Sequence, residues 1–288
     1  MNDSLLAMCP NDLRQEISVA LSDRTEEIRF RIGRPVSAIT CGQGKPLSTA
    51  GVTAHHLDYL FERATNMSVH SYTEEIRNGY LFTSSGYRVG ICGTVYYHGQ
   101  NRAGIRDLTS VSIRIPHECP GCADKFYSQM IRDGYRSTLI LSPPGFGKTT
   151  LLRELIRKLS QSGFRVSVVD ERGEIAAVAN RISGFDLGEN TDIMTGGRKG
   201  ESAMMLLRAM NPQILAFDEI TDQDDLNFII QAAGCGTAML ATAHAMDRTS
   251  LQRRELYQKL LQTGVFEKAV WIQMSHGKRE YVVEELMQ

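Results

Sequence analysis

No stretch of this chain approaches the roughly 20 consecutive apolar residues that a bilayer-spanning helix needs, so membrane association is expected only through a partner protein. The opening residues, Met1 to Pro10, carry Asp3 and no basic run leading into an apolar core, so no secretory signal is expected. Neither sign of charge is in surplus, with 32 Lys and Arg against 33 Asp and Glu. That balance leaves no global field to draw the chain to nucleic acid, and no nucleic-acid partner is expected. The six cysteines are scattered apart from Cys119-Pro120-Gly121-Cys122. A disulfide scaffold is not expected in a chain long enough to bury a full core, and cytoplasmic residence with reduced thiols fits. A structural zinc site needs four ligands and only His117 lies near that pair. A linker turn is its plain reading, with a redox pair or half a zinc site as the alternatives. There is no internal repeat and no low-complexity tract.

What is present is an ordinary globular composition, 42% hydrophobic and 23% charged, written in two grammars. The first half alternates. Ile28, Phe30 and Ile32 interleave with charged residues before Gly33-Arg34-Pro35, the pattern of a half-buried strand entering a turn. Thr53 is placed to cap a helix carrying Leu57, Leu60, Phe61 and Ala64 on one face. Residues 87–97 and 110–115 read as strands, and 99–104 as a loop. This half predicts a small α+β domain.

From Ser137 onward strand, loop and helix repeat, which predicts a mostly parallel sheet covered on both faces. Strands are expected at 138–141, 164–169, 213–217 and 237–241, with a helix after the first carrying Leu151, Leu152, Leu155, Ile156 and Leu159. Further helices are expected at 203–210, 222–233 and 247–261. A closing hairpin is expected around His276-Gly277. The domains are therefore placed at 1–130 and 131–288, with the boundary between Pro116 and Arg136.

Ser142-Pro143-Pro144-Gly145-Phe146-Gly147-Lys148-Thr149-Thr150 follows the first of these strands and opens its helix. A Gly-rich turn there aims backbone N–H groups and a helix dipole at phosphate oxygens. Lys148 is the expected contact to the β and γ phosphates of ATP, and Thr149 a ligand of Mg²⁺. Ser142 stands where the usual motif has its first glycine. Asp218 and Glu219 end the apolar run Ile214 to Phe217, so Asp218 is the expected second Mg²⁺ ligand and Glu219 the general base. Asp170-Glu171 and Thr242-Ala243-His244 end two more strands, and ligands of open α/β sheets sit at such ends. His244 is expected to sense the γ-phosphate or contact the attacking water.

This order of phosphate loop, acidic pair, Leu207 to Glu219 and histidine motif resembles the secretion and pilus motor ATPases. Gly86-Tyr87-Arg88-Val89-Gly90 and Val169 to Ile175 are most similar to the stage III sporulation AA family of endospore formers. Asp218 departs from the secretion motors, many of which have glycine there. The resemblance implies a RecA-like ATPase domain, a hexameric ring, and a membrane-embedded channel between mother cell and forespore as partner. It also implies a catalytic role for Glu171, an N-terminal domain that caps the nucleotide, and arginines from it, Arg106 and Arg114, acting on a neighbour's γ-phosphate. An ABC-type reading of Met194 to Lys199 fits less well, because Ile220 replaces the usual proline and the gap from Lys148 to Gly196 is short. The remaining alternative is an ATP-binding scaffold or a nucleic-acid-associated ATPase.

Overall fold

The computed structural model describes residues 2–22, 25–40, 43–67, 72–83, 86–99, 101–178, 181–275 and 278–286. Contacts divide the chain into a unit of Met1–His117 with Ala177–Gly184 and a unit of Glu118–Ala176 with Phe185–Gln288. The division falls earlier than 130/131. Residues 124–131 form a helix whose Phe126 ring lies 5.3 Å from Tyr281, deep in the second unit's sequence.

The first unit runs α1 (Asn2–Met8), α2 (Asn11–Ala20), β1 (Thr25–Arg31), β2 (Pro35–Thr40), β3 (Gln43–Gly51), α3 (Ala54–Ala64), α4 (Thr73–Asn78), β4 (Tyr80–Phe82), β5 (Arg88–His98) and β6 (Asn101–Arg114). Its six strands form an antiparallel sheet in the order β3-β2-β1-β6-β5-β4. Period-two alternation sends Ile28, Phe30, Val111, Ile113, Val89 and Ile91 into a core with Leu57 and Leu60 of α3. Ile32 does not join them and is 45% exposed. Thr53 caps α3 as expected, and the imidazole of His56 completes the capping box by accepting from the Thr53 N–H at 3.2 Å.

The expected loop at 99–104 is mostly strand. Tyr96 pairs with Gly104 and His98 with Asn101, so the turn shrinks to residues 99 and 100, the second of which lies outside the described residues. The polar, Gly-containing sequence reflects a hairpin end exposed to water on both faces, which carries no apolar alternation to read.

The second unit runs α5 (Asp124–Ile131), β7 (Thr138–Ser142), α6 (Lys148–Gln161), β8 (Val166–Asp170), β9 (Thr191–Thr195), α7 (Lys199–Met210), β10 (Ile214–Phe217), α8 (Gln223–Gly234), β11 (Ala238–His244), α9 (Arg248–Arg253), α10 (Glu255–Gln262), β12 (Lys268–Ser275) and β13 (Lys278–Glu285). Its seven-stranded sheet has the order β13-β12-β7-β11-β10-β8-β9, parallel throughout except for the β12–β13 hairpin. The expected turn residues His276 and Gly277 of that hairpin lie outside the described residues. Strands β7, β8 and β10 are buried along their whole length, which is why they read as mostly apolar runs without alternation, with Ser167 interrupting β8. On α6, Leu151, Leu152, Leu155, Ile156 and Leu159 are fully or almost fully buried, each contributing roughly 1.5–3 kcal/mol of burial.

Two differences stand out. The helix expected over 247–261 is two helices, because Arg254 is extended at φ −89 and ψ 121. No Pro or Gly marks that break; the Gln258 side-chain amide instead donates to the carbonyl of Gln252 at 2.6 Å. Strand β9, at the sheet edge, has no counterpart in the sequence reading, since its residues, four half-buried and Thr195 exposed, lack both a buried run and alternation.

Candidate functional site

Strand β7 lies between β11 and β12, and β10 lies on the far side of β11. The carboxyl ends of β7, β11, β10 and β8 therefore line up Ser142, His244, Asp218 and Asp170 along one edge of the sheet. Register places His244 directly opposite Ser142. Pro143 and Pro144 end the ladder for want of N–H donors, and Gly145 (φ +79) and Gly147 (φ +95) turn the chain into α6. A Cβ at Gly145 would meet nothing within 4 Å, so a ligand can approach that backbone closely. Ser142 is absent from the residues with positive φ, so the first motif position needs no glycine here. Phe146 and Thr150 flank the turn half-buried, while Pro144 and Gly145 are exposed.

Lys148 opens α6 and is 7% exposed. Its ammonium donates to the carbonyls of Ser142 and Pro143, each at 3.2 Å, and to Nδ1 of His244 at 2.7 Å. An ammonium has donors only, so Nδ1 accepts and the imidazole proton sits on Nε2. That Nε2 meets Glu219 Oε1 at 3.0 Å. Lys148, His244 and Glu219 thus form one hydrogen-bonded chain across three strand ends. Burial holds the Lys148 amine below its ordinary pKa, partly offset by the charges of Asp218 and Glu219.

Beside this chain, Thr149 Oγ1 donates to Asp218 Oδ2 at 2.9 Å. The other oxygen, Oδ1, accepts from Thr242 Oγ1 at 2.5 Å and from the Glu219 N–H at 3.0 Å. The Thr242 hydroxyl in turn accepts from the same N–H at 2.9 Å, so Thr242 holds the Asp218 carboxylate and the Glu219 backbone together. Among the described residues no cluster of three or more His, Cys, Asp or Glu suits a metal ion. One hydroxyl and one carboxylate, with phosphate oxygens and water, are nevertheless the sparse set that Mg²⁺ takes.

Asp170 and Glu171 diverge. Asp170 is 2% exposed and accepts from the N–H groups of Ile175 (3.1 Å) and Ala176 (2.8 Å), which ties down the segment after β8. Burial raises its pKa, the backbone donors oppose that, and the charge of Asp218 adds to it. Glu171 stands exposed in the turn that follows.

The two expected arginines also part company. In the first unit, Arg114 borders a cleft of about 390 Å³ on the sheet face opposite the core, together with Arg29, Arg31 and Arg88. Alternate positions of three adjoining strands bring these four guanidinium groups together. Glu27 sits among them and is hydrogen-bonded by Arg29 and Ser112. Arg88 also lies 4.3 Å over the Tyr80 ring. Arg106 lies further along β6, is 66% exposed, and pairs with Asp107 at 3.5 Å.

Three residues near the phosphate loop escaped sequence reasoning. Thr242 was visible only as part of a strand end. Lys199 donates to the Glu219 carbonyl at 2.7 Å and to Asp225 at 2.9 Å, fixing the start of the segment before α8. Arg279 of β13 lies against the loop: a Cβ on Gly147 would meet its guanidinium carbon at 3.2 Å. Only the hairpin register could have found it, because 131 positions separate it from Lys148 (279 − 148).

The family profile for sporulation stage III, protein AA matches residues 4–283. The chain is 33% identical over 267 residues to the stage III sporulation protein AA of Bacillus subtilis, covering 91% of this chain and 86% of that one. It is 31% identical over 127 residues to the type IV pilus assembly ATPase TfpB of Acinetobacter baylyi, covering 44% of this chain and 20% of that protein. Among solved structures it resembles the Legionella pneumophila ATPase DotB with a TM-score of 0.60 at 14% identity, over 96% of this chain and 80% of that one. The chain belongs to the sporulation stage III, protein AA family.

Proposed function

We propose that this family member is an ATP-hydrolysing motor with a RecA-like nucleotide site in its second unit. The observation that carries the reading is the bonded chain Lys148–His244–Glu219 beside the Thr149–Asp218 pair, all at the ends of adjacent parallel strands. A plain strand-to-helix turn has no need of that convergence.

In this reading the N–H groups of Gly145 to Thr150 cradle the phosphates, and Thr149 and Asp218 hold Mg²⁺. The metal, when bound, neutralises charge on the β and γ oxygens. Phosphate oxygens compete with the three acceptors that now hold Lys148. As Lys148 turns to them, His244 loses its Nδ1 donor, and the imidazole becomes free to follow the γ-phosphate. Glu219, held by its own backbone bond to Thr242, accepts the proton of the attacking water. We assign the arginine cleft of the first unit, with Arg114 in it, to the nucleotide of a neighbouring copy in a hexameric ring. The ring would stand in the cytoplasm against a membrane-embedded sporulation channel between mother cell and forespore. No described helix is long and apolar enough to cross a membrane itself.

The test is phosphate release by the purified protein with ATP and Mg²⁺, with and without single-stranded DNA or RNA. Lys148→Ala should lose ATP binding, whereas Glu219→Gln should bind ATP and fail to turn it over. Parent-rate hydrolysis by Glu219→Gln removes the assignment of the base. Stimulation only by polynucleotide favours a nucleic-acid motor, and no turnover under any condition favours a scaffold.

A further inference from the structure

Cys119-Pro120-Gly121-Cys122 has no part in the nucleotide site, yet its geometry is specific. The Cys122 N–H donates to the Cys119 carbonyl at 3.1 Å, and Gly121 has φ +82. Proline then glycine at the two central positions of such a turn is the type II pattern, which holds its outer α-carbons within about 7 Å. A disulfide spans α-carbons about 4.4–6.8 Å apart. The Cys122 thiol lies near both Cys119 and the Tyr281 hydroxyl. Cys119 is exposed and borders a cavity of about 190 Å³ beside α6. Cys122 is half-buried; burial, with the nearby charges of Cys119 and Glu154, pushes its thiol up to about 12. An oxidant therefore meets Cys119 first, and Cys122 is the internal partner.

We propose that Cys119 and Cys122 form a reversible disulfide by exchange with a small-molecule disulfide such as oxidised glutathione, and that this bond weakens nucleotide binding. The Cys119 thiolate attacks one sulfur of the oxidant, making a mixed disulfide and expelling one thiolate. Cys122 loses its proton to water and attacks the Cys119 sulfur; the internal S–S bond forms and the second thiolate leaves. Two electrons pass to the oxidant, which ends as two thiols.

The turn is wired to the phosphate loop at two points. The Gly121 N–H donates to Glu154 Oε1 at 2.7 Å, and Glu154 lies on α6, the helix that Lys148 opens. Tyr281 lies on β13 two residues beyond Arg279, whose guanidinium rests on Gly147. Closing the disulfide withdraws the Cys122 thiol from Tyr281 and tightens the turn against Glu154.

The disulfide stands independently, whereas its effect rests on the nucleotide reading above. The full-length protein is equilibrated with graded mixtures of reduced and oxidised glutathione, its thiols are trapped by alkylation, and its peptides are weighed. The expected result is loss of two hydrogens from the 119–122 peptide with no glutathione added, abolished by Cys119→Ser. Two alkylated cysteines in the most oxidising mixture, or a glutathione adduct that never resolves, overturns the site. A fluorescent ATP analogue should then bind severalfold more weakly to the oxidised protein and recover with dithiothreitol. The Cys119→Ser/Cys122→Ser protein should bind like the reduced parent and ignore oxidant. A disulfide with unchanged binding overturns the regulatory half. No binding by the reduced parent sinks the nucleotide reading and leaves the disulfide standing.

Discussion

Replacing Thr242 with valine removes one hydroxyl from the wall of β11 and keeps the branched shape the strand packs around. Thr242 is fully buried, so no water replaces the hydroxyl from its own side. Two bonds go: the donor to Asp218 Oδ1 at 2.5 Å and the acceptor for the Glu219 N–H at 2.9 Å. The second is partly covered, because that N–H also reaches Asp218 Oδ1 at 3.0 Å. The loss therefore falls on the aim of the Asp218 carboxylate. A hydrogen bond to a charged group contributes about 1.5–3 kcal/mol. Asp218 is only half-buried and water can meet its free oxygen, so the lower part of that range, about 2 kcal/mol, is the appropriate figure. At about 1.36 kcal/mol per tenfold, kcat for ATP should fall about 30-fold. Lys148 and the loop backbone are untouched, so KM for ATP should stay within about 2-fold. The dependence on Mg²⁺ should move to higher concentration. Phosphate release across ATP and Mg²⁺ series measures all three, with thermal melting as the control for folding. A kcat within about 3-fold of the parent, with unchanged Mg²⁺ dependence, would refute the role given to Thr242.

The arginine assignment separates two residues that the sequence treated alike. Arg114→Ala should cut steady-state hydrolysis by at least about 100-fold at concentrations where copies assemble, while Arg106→Ala should leave it near the parent rate; the reverse pattern moves the site along β6. Glu27 supplies a pH signature. Burial raises its pKa, but the hydrogen bonds from Arg29 and Ser112 and the charges of Arg29 and Arg114 outweigh that and hold it below 4.5. A carboxyl depressed in this way stabilises the fold above its unfolded pKa and loses that contribution as pH falls through the folded value. Below about pH 4.5 the melting temperature of the parent should fall more steeply than that of Glu27→Gln, and parallel profiles would count against the pairing.

Much of the second unit was legible because its signals are local. Leu139 to Leu141 and Ile214 to Phe217 are buried on both faces, so their runs are continuous, and Gly145-Phe146-Gly147-Lys148 carries its turn within four residues. Lys148, Asp218, Glu219 and His244 could be named from strand ends because parallel sheets gather such ends on one side. What was hidden depends on register. The grouping of Arg29, Arg31, Arg88 and Arg114 exists only once β1, β6 and β5 are paired, and Arg279 reaches Gly147 only through a hairpin. Strand β9 and the residues at 101–104 lack the apolar alternation that marks a strand; on β9 no residue is fully buried. At the break the carbonyl of Gln252 is met by the Gln258 side chain, a pairing that no propensity scale encodes.

The placement of β7 between β11 and β12 has a consequence for how the protein is made. Both neighbours come from the part of the chain after residue 237, so the strand that launches the phosphate loop has no hydrogen-bonded neighbour until late in translation. Contacts of such sequence separation are slow to close. A nascent chain halted before Lys268 would hold every residue of the loop and still lack one wall of the strand beneath it. The strand that launches the loop is walled on both sides only once β12 has left the ribosome.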